Sequence, residues 1–516
     1  MSAQSADVIV IGAGHNGLVC AGYLAQAGHD VLILERSHRI GGAAVTEEHV
    51  PGCHFSTFAY GAHGPGPKIC RELEVPADAF TIVEPNCGMF FPFPDGDHIL
   101  LRNDPQETAA HLARFGPREA DGYLAYIEFL KLAQEITKEF FYTLPPTHHQ
   151  LYERYRMTPH RSVLEAMLTR SHWDVLGDFF DTEKVKCAFS RSDDVGYPTA
   201  VGSLLAEAVE SAADGAGVDG KSGVPVGGMG AVTAALAAAA RRLGAEIRTE
   251  SPVESILVES GCARGVRLMG GETLRAKIIV SNADPKHTFL TLVPSDALNS
   301  SFRRQVENLR TRAGNMKFLA VLNGVPRFTA MPSDLKDDPR YAASARIGPT
   351  LDYFEQAWCD ALNGIPSRHP VFSTQLPTAF VPELAPPGKH LFGAWIRYGP
   401  RTLREGTWEG WRARVIETLL DTLEDYAPGF QDLIEWQRLL TPADIERETG
   451  ITGASIRHID MTLDQMLHRR PLPAWAAYKA PLDGLWLCGS GTHPCGSVTG
   501  APGHNAAQAI LEDNAR

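Results

Sequence analysis

The sequence predicts an α/β protein in which a parallel sheet, assembled from separated stretches of chain, carries an inserted α+β region. Three observations predict it. Residues 7–35 read as strand, glycine turn, helix and strand. Residues 483–507 read as a buried strand, a second glycine turn and a final helix. Between them, residues 225–283 hold an alanine-rich helix followed by short alternating segments, a switch of apolar period from 3.6 to 2.

The opening unit is the most specific. The strand Asp7–Ile11 runs into Gly12-Ala13-Gly14-His15-Asn16-Gly17, a helical stretch Leu18–Ala27 is closed by Gly28, and a second strand Val31–Leu34 ends at Glu35. Gly12 makes the tight turn, Gly14 lets backbone approach a pyrophosphate, and Gly17 lets the helix pack close to the strand. The helix N-terminus offers free N–H groups and a positive dipole end to the phosphates. Glu35, about twenty residues on, accepts from a ribose diol and repels a 2′-phosphate, which selects FAD or NAD over NADP.

At the other end, Asp483–Gly491 reads as the buried strand and its glycine turn, and Gly500–Ala507 as the start of the last helix. In the middle, Pro225–Gly230 precedes a helix to Leu243, and Glu246–Arg248, Pro252–Ile256 and Gly265–Leu268 read as a small meander before the strand Ile278–Ala283. The predicted architecture is a discontinuous Rossmann-like domain (1–70, 221–292 and 478–516) with an inserted substrate domain (71–220 and 293–477). In that insertion Asp104-Pro105 launches a helix. Helical stripes run through Leu164–Phe179 and Trp411–Leu423, and His148-His149 lies in a solvated basic turn.

Charge narrows the function classes. Against 61 Asp and Glu stand 48 Lys and Arg, a net charge of −13, which argues against nucleic acid and against electrostatic docking on an anionic membrane. The nine cysteines are scattered, with no C-x-x-C spacing, and read as reduced thiols. No signal peptide pattern or apolar run of membrane-spanning length is present, so a cytoplasmic protein is expected, with a peripheral membrane contact through an apolar patch left open. Neither a Gly-x-Ser-x-Gly elbow nor an H-E-x-x-H pair occurs, which removes serine hydrolase and metalloprotease chemistry; no metal site is expected.

After Glu35 the run Arg36-Ser37-His38-Arg39-Ile40-Gly41-Gly42-Ala43 resembles the extended FAD signature of glutathione-reductase-like flavoproteins. Gly489-Ser490-Gly491-Thr492-His493-Pro494, followed by the helix at Gly500, resembles the terminal motif of the phytoene desaturase-like FAD-dependent oxidoreductases. Cys495 departs from that motif, where glycines are usual, and is read as a small residue in a glycine position. The resemblance implies that FAD is held by Gly12, Gly14, Asn16, Gly17, Glu35, Arg36, Gly41, Gly42, Ala43, Gly489, Gly491 and Val498, and that backbone at Val253 pairs with the adenine. It implies that the last helix aims its dipole at the flavin, and that Tyr60, His63 and His493 stand beside the ring as candidates for proton transfer or substrate orientation. It implies hydride exchange between the flavin and a small apolar or amphipathic substrate, forming, removing or shifting a C=C bond, with O2 or a quinone as electron acceptor. The lack of a second G-x-G-x-x-G and of a C-x-x-x-x-C pair excludes the pyridine-nucleotide disulfide reductases. Two alternatives stay open: a flavin amine oxidase, for which a lysine holding a water near the flavin would speak, and a flavin-free prenyl or lipid carrier of the same architecture.

Overall fold

The computed structural model describes residues 5–61, 64–85, 88–190, 198–214, 223–312 and 314–515. The opening unit forms β1 (Ser5–Ile11), α1 (His15–Gln26) and β2 (Val31–Leu34). Val8 to Ile11 are all buried, the continuous apolar run of a parallel strand covered on both faces. The chain re-enters this layer through α2 (Met229–Arg242), β3 (Glu246–Arg248), β4 (Val253–Glu259), β5 (Cys262–Leu268) and β6 (Thr273–Ser281). β1 lies between β2 and β6, parallel to both.

One segment differs from the sequence reading. Glu246–Arg248 is not part of the meander but runs parallel to β2, with Leu32 opposite Glu246. The helix α2 returns the chain to the free edge of β2, the crossover that a parallel pair requires. Three residues carry too little periodicity to show which sheet edge they join. The antiparallel meander is β4–β5–β6.

A second sheet follows: β7 (Asn315–Leu322), β8 (Arg346–Ile347), β9 (Phe372–Gln375) and β10 (His390–Arg397), then the helix α3 (Trp408–Tyr426) and β11 (Ile434–Leu440). Its order is β8-β9-β10-β7-β11, antiparallel throughout. Strand alternation separates its faces. Met316, Phe318, Ala320 and Leu322 pack with Leu419 and Leu423 of α3, while Lys317, Leu319 and Val321 point the other way, toward the first sheet's glycine turns.

The chain closes through β12 (Leu485–Leu487), parallel to the end of β6, and α4 (Ala501–Asn514), whose Ala506, Ala507 and Ile510 share a core with Leu18 and Leu24 of α1. Helices from 119 to 214 share a further core, in which Ile136, Leu164 and Leu205 pack with Met461, Leu467 and Cys495. Within this region the expected basic turn at His148-His149 is instead the first turn of a helix, His148–Tyr155. Thr147 and Gln150 form a capping box there, whose side-chain bonds outweigh the local polarity. Among the described residues no helix is long and apolar enough to cross a membrane.

Candidate active site

The turn between β1 and α1 is held from below by Glu35. Its two carboxylate oxygens accept from the N–H groups of Ala13 (2.8 Å) and Ser37 (2.9 Å). The Gly41-Gly42 loop closes on the same turn: Gly41 N–H donates to the Ala13 carbonyl at 2.9 Å, and Gly42 has a φ of +60°. The glycines have no space to spare. A Cβ on Gly17 would lie 2.2 Å from the Gly12 carbonyl oxygen, and one on Gly14 would lie 2.8 Å from Asn282 Nδ2.

This cradle fits an FAD pyrophosphate. α1 starts at Gly14 without a side-chain cap and without an acidic residue in its first turn, so its leading N–H groups and dipole face outward. Two buried polar atoms beside it, His15 Nε2 and Asn16 Oδ1, have no protein partner. Asn16 Nδ2 donates to Ser490 Oγ at 3.3 Å and so joins the opening turn to the terminal motif.

Other expected cofactor positions divide. Ala43 and Val498 line the large internal cavity. Val253 begins β4 opposite Leu268 and is half-buried. The exposed side chain of Arg36 donates to the Arg447 carbonyl at 3.1 Å, which ties the end of β2 to the helix Pro442–Thr449. Gly489 and Gly491 are dictated by chain crossing, since a Cβ would lie 2.7 Å from the Asn282 carbonyl oxygen and 2.5 Å from Pro285 Cδ respectively. Ser497 and Val498 both take positive φ, +71° and +56°, at the entry to α4. For a β-branched residue this is a strained conformation. Cys495 is fully buried among Met461, Met466 and Leu467, as a small core residue.

The cavity measures about 410 Å³ and lies between the glycine turns and the outward face of the second sheet. Tyr60 lines it, 37% exposed, with its ring centroid 5.9 Å from that of Trp395. His63 lies outside the described residues. His493 is not on the cavity wall: it is buried, and its Nε2 bonds the Phe140 carbonyl at 2.9 Å, fastening the terminal motif to the helix Glu119–Phe141. Burial pushes its pKa down to about 4, so it is a neutral structural group.

Sequence reasoning missed the group at the centre of the floor. Lys317 is 1% exposed, donates to Gln375 Oε1, and holds its Nζ 4.4 Å from the Tyr60 ring centroid and 5.6 Å from that of Trp395. Burial alone drives its pKa well below the ordinary lysine value. The signal in the sequence was a single lysine inside the apolar strand Asn315–Leu322. His15 was also missed, standing at a variable position of the glycine motif. It lines the cavity with its pKa lowered to about 3, chiefly by burial and then by His458 and Arg457. A third group is the ion pair of Arg457 with Glu210, in which Arg457 also donates to Ser497.

The fold and this site define a dinucleotide-binding oxidoreductase whose cofactor cradle opens on an internal, mainly apolar chamber. Residues 17–405 match the family of flavin containing amine oxidoreductases, and the chain belongs to that family. It is an FAD-dependent oxidoreductase, which sets aside the flavin-free carrier. The chain is 33% identical to the rat protein named pyridine nucleotide-disulfide oxidoreductase domain-containing protein 2, over 98% of this chain and 93% of that one. It is 26% identical to a phytoene desaturase (neurosporene-forming) of Cereibacter sphaeroides, over 99% and 96%. Cyclohexylamine oxidase from Brevibacterium oxydans shares the fold, with a TM-score of 0.57 at 16% identity, covering 99% of this chain and all of that one.

Proposed function

We propose that this FAD-dependent oxidoreductase moves a hydride between flavin and a largely apolar substrate, desaturating, saturating or isomerising a C=C bond. FAD supplies the two-electron chemistry. In this reading residues 1–70, 221–292 and 478–516 hold the cofactor and the rest shapes the substrate. The Gly12–Gly17 turn, Glu35 and Gly41-Gly42 hold its pyrophosphate and ribose.

The observation that carries the reading is the wall of the cavity, built from Phe55, Phe58, Leu319, Leu391, Ile451 and Val498. Such a chamber desolvates a hydrocarbon at about 25 cal/mol per Å² of apolar surface and excludes water from the reacting carbon. Lys317, His15 and Tyr60 are among the polar groups of the lining. The similarity to a phytoene desaturase supports the same substrate class.

One observation favours a second reading, oxidation of a C–N bond. Lys317 sits between Tyr60 and Trp395, where it can hold a water by hydrogen bond, the feature that speaks for an amine oxidase. Anaerobic titration of the holoenzyme with polyenes, unsaturated lipids and alkylamines separates the two. Bleaching of the bound flavin by a polyene or lipid is expected; bleaching by amines alone would overturn the first reading in favour of the second.

A further inference from the structure

The cofactor cradle meets the chamber at one side chain. His15 is the first residue of α1, directly after Gly14, and it also lines the cavity, sharing that wall with Ala43, Ala44, Ser490 and Val498. Its Nε2 is buried and has no protein partner among the described residues. Burial, and after it His458 and Arg457, lowers the His15 pKa to about 3, so at neutral pH the ring carries one N–H and no charge.

The surroundings fix the backbone that carries this ring. Asn16 Nδ2 donates to Ser490 Oγ at 3.3 Å, which binds the first turn of α1 to the terminal motif. His458 packs against the same motif: a Cβ on Gly489 would lie 3.1 Å from its Cε1, and one on Gly491 would lie 3.3 Å from its Cβ. The two glycines thus leave room for the second imidazole. A buried imidazole nitrogen with no partner costs free energy in the protein alone, and a bound group with the complementary atom removes that cost.

FAD offers that nitrogen two kinds of partner. The pyrophosphate is served by the leading N–H groups and the dipole of α1. An uncharged imidazole adds little there, and Arg457 opposes the protonation that a phosphate would favour. The reactive ring system has to reach the chamber where substrate lies. Within the Gly12–Gly17 turn, His15 is the residue that lines that chamber.

We propose that His15 Nε2 donates a hydrogen bond to the isoalloxazine ring of FAD and raises its reduction potential. Reduction places negative charge on the polar edge of that ring, and a fixed donor bonds the reduced form more strongly than the oxidised one. His15 then tunes the flavin and is not a ligand of the phosphates. The inference rests on FAD as the cofactor and not on which bond the flavin oxidises.

The test is anaerobic equilibration of the holoenzyme with a reference redox dye, which reads the flavin potential without any substrate. His15→Met removes the donor while FAD content is kept. It should shift the ratio of reduced to oxidised flavin about tenfold toward oxidised at a fixed dye ratio, which is about 30 mV for a two-electron couple, and displace the flavin absorption band. His15→Gln carries an amide nitrogen near the position of Nε2 and should recover most of the shift. His15→Asn, whose amide nitrogen lies near the position of Nδ1, should not, and this pair decides the matter where the methionine variant does not fold. An unchanged potential and spectrum in His15→Met, or equal potentials in the glutamine and asparagine variants, overturns the proposal. Weaker FAD binding at an unchanged potential places Nε2 on the phosphates and overturns it as well. Because the dye equilibrium involves no turnover, failure of the hydride-transfer reading leaves this result independent.

Discussion

Replacing Lys317 with methionine removes the titratable amine of the cavity floor at nearly constant volume. In the unfolded chain that amine has its ordinary pKa of 10.5, whereas in the fold burial holds it well below. Between those two values the unfolded state carries a proton that the folded state does not. Stability therefore rises with pH across this window and is lost as pH falls from 10.5 toward the folded value. Between the two pKa values the slope approaches about 1.4 kcal/mol per pH unit, so lowering pH from 10 costs the unaltered protein stability from this group. Lys317→Met lacks the slope. It loses instead the bond to Gln375, about 1 kcal/mol, and leaves a buried carbonyl unsatisfied at about 1–3 kcal/mol. Those costs do not depend on pH, so they displace the curve without tilting it. Urea unfolding of both holoenzymes at pH 8, 9 and 10 measures the difference, in which contributions common to both cancel. The variant should gain on the unaltered protein as pH falls, and a plateau would mark the folded pKa. A constant difference from pH 10 to pH 8 would show that the buried amine keeps its proton and refute the reasoning.

Three further substitutions address the cradle and the ring. Gly14→Val should abolish FAD retention, because its first side-chain carbon alone would lie 2.8 Å from Asn282 Nδ2 and the branch would fill the approach of the phosphates; full flavin content in the purified variant would contradict the assignment. Glu35→Ala leaves the buried Ala13 N–H and the half-buried Ser37 N–H without their acceptor and should weaken FAD by about 1.5–3 kcal/mol, read as a dissociation constant; an unchanged constant would separate Glu35 from the cofactor. Tyr60→Phe keeps the ring 4.4 Å from Lys317 Nζ and should slow flavin reduction by less than about tenfold in stopped flow, whereas a loss of ~10²–10⁴-fold would make its hydroxyl a general acid or base.

The cofactor cradle was legible because it is local. Gly12, Gly14, Gly17 and Glu35 fall within 24 consecutive residues, and the switch from strand to helix period marks the turn between them. The bond of Arg36, next in sequence, was not legible, because a side chain's direction depends on what the tertiary fold brings beside it, here the Arg447 carbonyl 411 residues away. His493 failed for the same reason: its motif position is right for the cofactor end of the fold, but its ring reaches the Phe140 carbonyl. Short segments failed on period alone, as with Glu246–Arg248, and a basic cluster failed where a capping box overrode composition, as at Thr147.

The cavity floor was the harder case, since its residues come from four strands and meet only through register. β7 is buried on both faces, so the alternation that normally assigns a strand's two sides is erased from Asn315-Met316-Lys317-Phe318-Leu319. Its partner β10 nevertheless holds a second clue, Gly393, between the apolar and aromatic residues Leu391-Phe392 and Ala394-Trp395-Ile396. A glycine inside a central strand costs stability and marks a close approach by neighbouring groups. Here a Cβ at Gly393 would lie 2.9 Å from Gln375 Oε1 and 3.5 Å from Lys317 Nζ, so the glycine is the gap through which β7 and β9 join their side chains over β10. A lone lysine in one apolar strand and a lone glycine in the strand paired with it are each weak signals. Together they specify one buried hydrogen bond, and that bond fixes which face of the second sheet becomes the floor of the chamber.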